Sequence, residues 1–142
     1  MKSQKGEYKK KRLGVGADPE ITKAVTGRVI NGELPCLDAE DIAATLNKSL
    51  LKVGTVLDMM EISITKCQLG LFGYHPSKKI VLPSESIDSS LEEAIRNNLA
   101  KGNLSCDSAW KIAIALSVPK ISVASACEAL GIKINSCQLG AF

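Results

Sequence analysis

The fold is decided by residues 105–134, which read SCDSAWKIAIALSVPKISVASACEALGIKI. Apolar residues return there at intervals of three and four, the spacing that places side chains on one face of an α-helix. Ser105 is a typical N-cap, Pro119 prevents the first helix from running on, and Gly131 can end the second helix in the left-handed conformation. The stretch therefore predicts two consecutive helices, the second of which starts shortly after the proline.

The residues on either side of this stretch complete a small unit. Apolar residues between 91 and 99 mark one face of a preceding helix, which Gly102 is expected to close. Residues 132–134 alternate apolar and polar side chains as a strand does, and residues 135–136 offer a two-residue turn into residues 137–139. The unit is therefore predicted to consist of three helices followed by a short β-hairpin.

The chain repeats itself. A shift of 70 residues aligns 21–72 with 91–142 without a gap, and 16 of the 52 aligned pairs are identical. The closest match is the run Cys-Gln-Leu-Gly at 67–70, which returns at 137–140. The predicted organisation is a basic arm and lead-in (1–20), repeat one (21–72), a connector (73–90) and repeat two (91–142). Units this small bury little surface alone, so we expect the copies to pack on each other or on a second chain.

The apolar positions stand at the spacing of a helix-turn-helix. In repeat two they are Ile112, Ala113, Leu116, Val118, Val123, Ala126, Leu130, Gly131 and Ile132, and in repeat one they are Ile42, Ala43, Leu46, Val53, Met60 and Ile62. The pattern resembles the winged helix-turn-helix fold of bacterial and archaeal transcriptional regulators. This resemblance implies a mainly α fold with two tandem three-helix units, each followed by a β-hairpin as a wing. It also implies DNA binding through the third helices.

The surface of those third helices limits this implication. DNA-reading helices present Arg, Lys, Asn or Gln to base edges and Ser or Thr to phosphates. Repeat two offers four candidates for DNA contact: Lys120, Ser122 and Ser125 on the third helix, and Gln138 on the wing. Repeat one offers Lys52 and Thr55 but also Asp58 and Glu61, whose carboxylates phosphates would repel.

The positive charge of the chain is confined to its arm. The net charge is +3, but residues 1–12 carry six basic side chains and one acidic, which is +5, so residues 13–142 carry −2. The arm adds four candidates for phosphate contact, Lys9, Lys10, Lys11 and Arg12. A solubilising tail is the alternative interpretation of the same residues.

Four of the five cysteines occur in pairs related by the repeat: Cys36 with Cys106, and Cys67 with Cys137. A metal or redox site would use these thiols, but there is no Cys-x-x-Cys pair and the single histidine lies in the connector. Cys36 and Cys106 lie in line with the apolar face of a helix, where a buried thiol serves as a small hydrophobic side chain. The sequence therefore favours structural cysteines and predicts no cofactor.

Composition sets the remaining expectations. The chain has 142 residues, of which 45% are apolar and 23% charged, as in a soluble folded protein, and no apolar run is long enough for a bilayer. With no signal-like segment and no catalytic motif, we expect a cytoplasmic protein that is not an enzyme.

Two hypotheses of function follow. The first is a DNA-binding or transcriptional regulatory protein in which the repeats form a covalent pseudo-dimer. The alternative is a protein-interaction or oligomerisation module, and the apolar third helix of repeat one, with Leu50, Leu51, Val56 and Leu57, favours it because such a surface must be covered. A thiol or metal sensor is a further alternative. The expected partners are DNA or a second copy of the chain, and no membrane.

Overall fold

The computed structural model describes residues 17–75 and 78–142. The arm candidates Lys9, Lys10, Lys11 and Arg12 lie outside this range. The helices are α1 (Pro19–Thr26), α2 (Cys36–Leu46), α3 (Leu50–Met59), α4 (Ser89–Asn97), α5 (Cys106–Leu116) and α6 (Lys120–Leu130). The strands are β1 (Glu33–Pro35), β2 (Ser63–Thr65), β3 (Leu104–Ser105) and β4 (Ile134–Asn135). The predicted mainly α class is confirmed.

The chain forms two compact units whose boundaries differ from those of the repeats. The first unit contains the described residues up to Lys66 together with Leu139–Ala141, and the second contains Cys67–Gln138 together with Phe142. The described residues of the predicted connector, 73–75 and 78–90, lie in the second unit. The Cys-Gln-Leu-Gly run at the end of repeat one therefore belongs to the unit that holds the helices of repeat two. Leu139–Ala141 likewise belongs to the unit that holds the helices of repeat one.

The helix ends in repeat two follow from local chemistry. The hydroxyl of Ser105 accepts a hydrogen bond from the N–H of Ser108 at 3.1 Å, which caps α5 as predicted. Pro119 is the extended residue before α6, and Gly131 ends that helix at φ 69°. These three predicted boundaries are confirmed.

Gly102 has a different role from the predicted one. Helix α4 ends at Asn97, five residues earlier. Gly102, at φ 81°, and Lys101, at φ 53°, are the central residues of a tight turn between the bridged residues Ala100 and Asn103. The prediction that Gly102 closes the helix is wrong, because its left-handed conformation serves a two-residue turn in which both central residues have positive φ.

The predicted wing is also wrong. Strand β4 pairs in parallel with β3, with Leu104 opposite Ile134, and β1 pairs in parallel with β2 in the same way. Residues 137–142 form a turn in which the N–H of Cys137 donates to the carbonyl of Phe142 at 3.0 Å. The alternation at 132–134 correctly indicates a strand. This strand, β4, pairs with β3, the strand before α5, in which Leu104 is completely buried. The choice of pairing partner depends on burial of residues that are distant in sequence.

Helices α5 and α6 are joined by residues 117–119, and the chain bends by 116° between them. Ala109, Ala113 and Ala126 are buried, and their small side chains allow the helices to approach closely. Ile112 and Val123 are buried with them, as the periodicity predicts.

Within the described residues, no single helix has both the length and the apolar character needed to cross a membrane, and α5 with α6 meets those criteria only when the bent pair is counted together.

The first unit begins with a charge-dependent cap that gives a testable prediction. Asp18 accepts hydrogen bonds from the N–H groups of Glu20 and Ile21, at 2.9 and 3.2 Å, and Lys48 Nζ lies 3.1 Å from its carboxylate. Partial burial would raise the pKa of Asp18, but the N–H of Ile21 and the Lys48 ammonium lower it below its ordinary 3.8. Asp18 therefore contributes stability above its unfolded pKa, and this contribution is lost as the pH falls through the lower folded value.

We expect Asp18→Asn to lower the thermal midpoint at pH 7 and to change it less at pH 2, where more of the wild-type carboxylate is protonated. Thermal unfolding of both proteins at the two pH values measures this. An equal difference at both pH values would contradict the assignment.

Candidate functional site

The candidate site is the outer face of α6, the helix that would read DNA in a helix-turn-helix protein. Its inner face is buried in the core through Val123, Ala124, Ala126 and Cys127. Of its outward residues only Ala129 is exposed, and the others are half-buried. Other segments of the second unit cover this face.

Lys120, at the start of α6, is engaged on two sides. Its ammonium lies 3.8 Å from the centroid of the Trp110 ring, a cation–π contact. The same ammonium donates a hydrogen bond to Oε1 of Gln68 at 2.9 Å. The predicted DNA candidate Lys120 therefore binds a side chain of the Cys-Gln-Leu-Gly run.

Gly70 packs against Ile121, the residue of α6 that follows Lys120. A methyl group added to Gly70 would lie 2.8 Å from Cδ1 of Ile121, so its backbone rests directly on α6. Gly70 has a φ of 75°, which favours glycine independently of this contact. Its carbonyl accepts hydrogen bonds from the N–H groups of Ile80 and Val81 at 2.9 and 3.1 Å.

The second half of α6 is covered by residues 78–84, which we call the strap. The N–H of Ser84 donates to the carbonyl of Ser125 at 3.1 Å, and Lys79 forms an ion pair with Glu128. Ser122 is half-buried, between the parts of α6 that Gly70 and the strap cover. The DNA candidates of α6 therefore lie on a face that the second unit itself occupies.

The first unit shows a similar arrangement on α3. Gly54 is buried, and a Cβ built on it would lie 1.8 Å from the carbonyl oxygen of Leu139. Gly140 lies beside Leu51, because a Cβ built on Gly140 would be 3.6 Å from Cδ1 of Leu51. The third helix of the first unit is therefore in direct contact with the Leu-Gly pair from the end of repeat two.

The two copies of Cys-Gln-Leu-Gly form matching turns. The N–H of Cys67 donates to the carbonyl of Phe72 at 3.1 Å, as that of Cys137 does to Phe142. The rings of Phe72 and Phe142 meet edge to face with centroids 5.8 Å apart. The leucine in each turn is buried, with 0% exposure for the first copy and 4% for the second. Each turn is closed by its own backbone and buries its leucine as an anchor.

Gln138, the remaining DNA candidate, faces a thiol. Its side-chain Nε2 lies 3.7 Å from Sγ of Cys106, as donor to a weak sulfur acceptor. Burial raises the pKa of Cys106 to about 11, against the lowering effect of the backbone and side-chain N–H groups of Gln138. The amide therefore contacts sulfur within the second unit.

The repeated cysteines are distributed over both units. Cys67, Cys106 and Cys137 lie in the second unit, and Cys36 lies in the first. Burial raises the pKa of Cys67 and Cys106, and the charge of the nearby Cys137 adds to both shifts. All of these cysteines are free thiols. Across 17–75 and 78–142, no group of three or more His, Cys, Asp or Glu side chains is arranged to hold a metal ion.

Burial gives a prediction for thiol reactivity. It raises the pKa of both Cys106 and Cys127 to about 11, so at pH 8 few of these thiols are thiolates. Cys137 is only half-buried. We expect an alkylating reagent at pH 8 to modify Cys137 first and the other two only on unfolding, as peptide mass mapping can show. Modification of Cys127 before Cys137 would contradict this order.

Sequence reasoning located the helix but missed what lies on it. The strap lies within 73–90, a stretch whose two prolines and several serines disfavour a helix and so predict a connector. The sequence signal for the covering turns was the identical run Cys-Gln-Leu-Gly in both repeats. A strand needs only alternating apolar residues, so four identical residues in a row indicated a more specific contact.

The chain matches no protein-family model, no curated protein and no solved structure.

Proposed function

We propose that this protein is a non-enzymatic regulatory protein whose helix-turn-helix units make protein contacts with their third helices. The three-residue turn and the 116° bend between α5 and α6 fall within the range of helix-turn-helix motifs, which supports that class of unit. The third helices serve as docking faces, because each binds a Leu-Gly turn within its own unit.

The observation that carries this proposal is the covered face of α6. A recognition helix needs its outward side chains free to enter the major groove. Exposing this face would break the bond from Lys120 to Gln68, the bond between Ser84 and Ser125, and the ion pair of Lys79. It would also remove Gly70 from Ile121. Contact with segments of the same unit therefore accounts for the observed surface without any rearrangement.

Fluorescence anisotropy with labelled duplex DNA tests the proposal. We compare the wild type with a chain in which Ser122 and Ser125 are both alanine, and we use Ser86 and Ser90 to alanine as the matched control. If α6 makes protein contacts, all three proteins bind random DNA equally and show no preference for sites selected from a random pool. A preference that the Ser122 and Ser125 changes remove would overturn it.

DNA binding is the second candidate function. The bend between α5 and α6 and the +5 charge of residues 1–12 both favour it. In this case the arm supplies most of the affinity, since the remainder of the chain carries −2. Sequence preference would then come from Lys120, Ser122, Ser125 and Gln138 after α6 is uncovered.

Deletion of residues 1–12 tests this second candidate. Six basic side chains neutralise up to about six phosphates, so the logarithm of affinity should fall with the logarithm of salt at a slope near −5. The deletion is expected to remove most of the affinity and to flatten that slope. Absence of binding by the full chain at about 100 μM and low salt rejects DNA binding, because nonspecific binders reach this level.

A further inference from the structure

We infer that the groove on α3 is a docking site for a closed Leu-Gly turn, and that a second copy of this chain, which offers its own residues 137–142, is the partner that fits it. This inference rests on the proposed function and names the partner of the α3 surface.

The groove exists because α3 has a glycine at its contact point. The Cβ position of Gly54 lies 1.8 Å from the carbonyl oxygen and 2.7 Å from the carbonyl carbon of Leu139, so any side chain would displace the turn. The corresponding residue of repeat two is Ala124, which carries a methyl group. The α3 groove is therefore shaped for the close approach of a backbone.

The turn that fills the groove has a compact, hydrogen-bonded shape. The bond from the Cys137 N–H to the Phe142 carbonyl closes it, and Gly140 holds a φ of 82°. Leu139 is its apolar anchor, with 4% exposure. A closed turn loses little conformational entropy on docking, so a short segment suffices for binding.

A second copy is the partner because it carries the same turn. The groove accepts Leu139–Ala141, which are distant from α3 along the chain, so the contact does not depend on continuity with α3. A turn in the same chain competes at an effective concentration in the millimolar range, which keeps the groove filled. Exchange between copies is then domain swapping, and it becomes measurable once a chain's own turn is disabled.

The first experiment uses full-length Leu139→Asp, whose turn cannot bury its anchor, and a synthetic peptide of residues 135–142, NSCQLGAF. We expect about 1 mM peptide to raise the thermal midpoint of the variant by about 5 °C or more, because a ligand of the folded state stabilises it. The same peptide with aspartate in place of leucine is the matched control and should have no effect. The wild type, whose groove is filled, should not respond to either peptide.

Should Leu139→Asp be unfolded alone, the peptide is expected to restore its folded circular dichroism signal. No shift and no recovery, or an equal effect of both peptides, would overturn the inference. That failure would leave the covered face of α6 unchanged, so it is distinct from failure of the proposed function, which the DNA measurements decide.

The second experiment mixes two complementary full-length variants. Gly54→Val blocks the groove but retains its turn, whereas Leu139→Asp retains the groove but lacks a working turn. Light scattering of the equimolar mixture should show a 1:1 heterodimer, with neither variant dimeric alone. Absence of the heterodimer, in a mixture where peptide still stabilises Leu139→Asp, would exclude the second copy as partner.

Discussion

Replacement of Gly54 by alanine is expected to lower the free energy of unfolding by about 3 kcal/mol, the upper part of the range for overpacked cores. In an ordinary helix interior this change would stabilise by up to about 1 kcal/mol, because alanine has the higher helix propensity. Here the added methyl group would meet the backbone of Leu139 at 1.8 Å, and a backbone cannot rotate away as a flexible side chain can. The clash therefore outweighs the propensity gain.

Gly27→Ala is the matched control for this prediction. Gly27 has an ordinary helical φ of −73°, and an added methyl group would lie 3.6 Å from its nearest neighbour, the carbonyl of Ala24. We expect it to be neutral or slightly stabilising. Urea unfolding measures both variants, and similar stabilities for the two would show that Leu139 does not rest on α3.

The second large effect is expected at the first Leu-Gly turn. Leu69→Ala should lower the free energy of unfolding by about 3 kcal/mol, since Leu69 is completely buried and its loss leaves a cavity. The control is Leu37→Ala, because Leu37 is 62% exposed and should change stability by less than about 0.5 kcal/mol. A small effect at Leu69, measured by the same urea unfolding, would mean that the turn is not an anchor.

The part of the fold that the sequence predicted depends on local interactions. Ser105, Pro119 and Gly131 act on the backbone within a few residues, so the ends of α5 and α6 could be placed from the printed residues alone. Gly102 misled the prediction because a left-handed glycine serves a helix end and a tight turn equally well. Only the geometry of its neighbour Lys101 distinguishes the two.

What the sequence could not provide is the long-range pairing. Ile134 has the alternation of a strand, but whether it pairs with residues just ahead or with Leu104 depends on which arrangement buries more apolar surface. The candidate site was missed for the same reason. Lys120 has the residue type of a DNA contact, and its bond to Gln68 joins residues 52 positions apart, a separation that no periodicity encodes.

The contact between Gly54 and Leu139 also constrains how the protein is made. These residues are 85 positions apart (139 − 54), so a ribosome must add those residues after Gly54 before the first unit can receive its last segment. Until then α3 presents an unfilled apolar groove, a state that invites chaperone binding or misassembly. Completion of the first unit is thus delayed until Leu139 has been synthesised, although the helices of that unit are synthesised earlier.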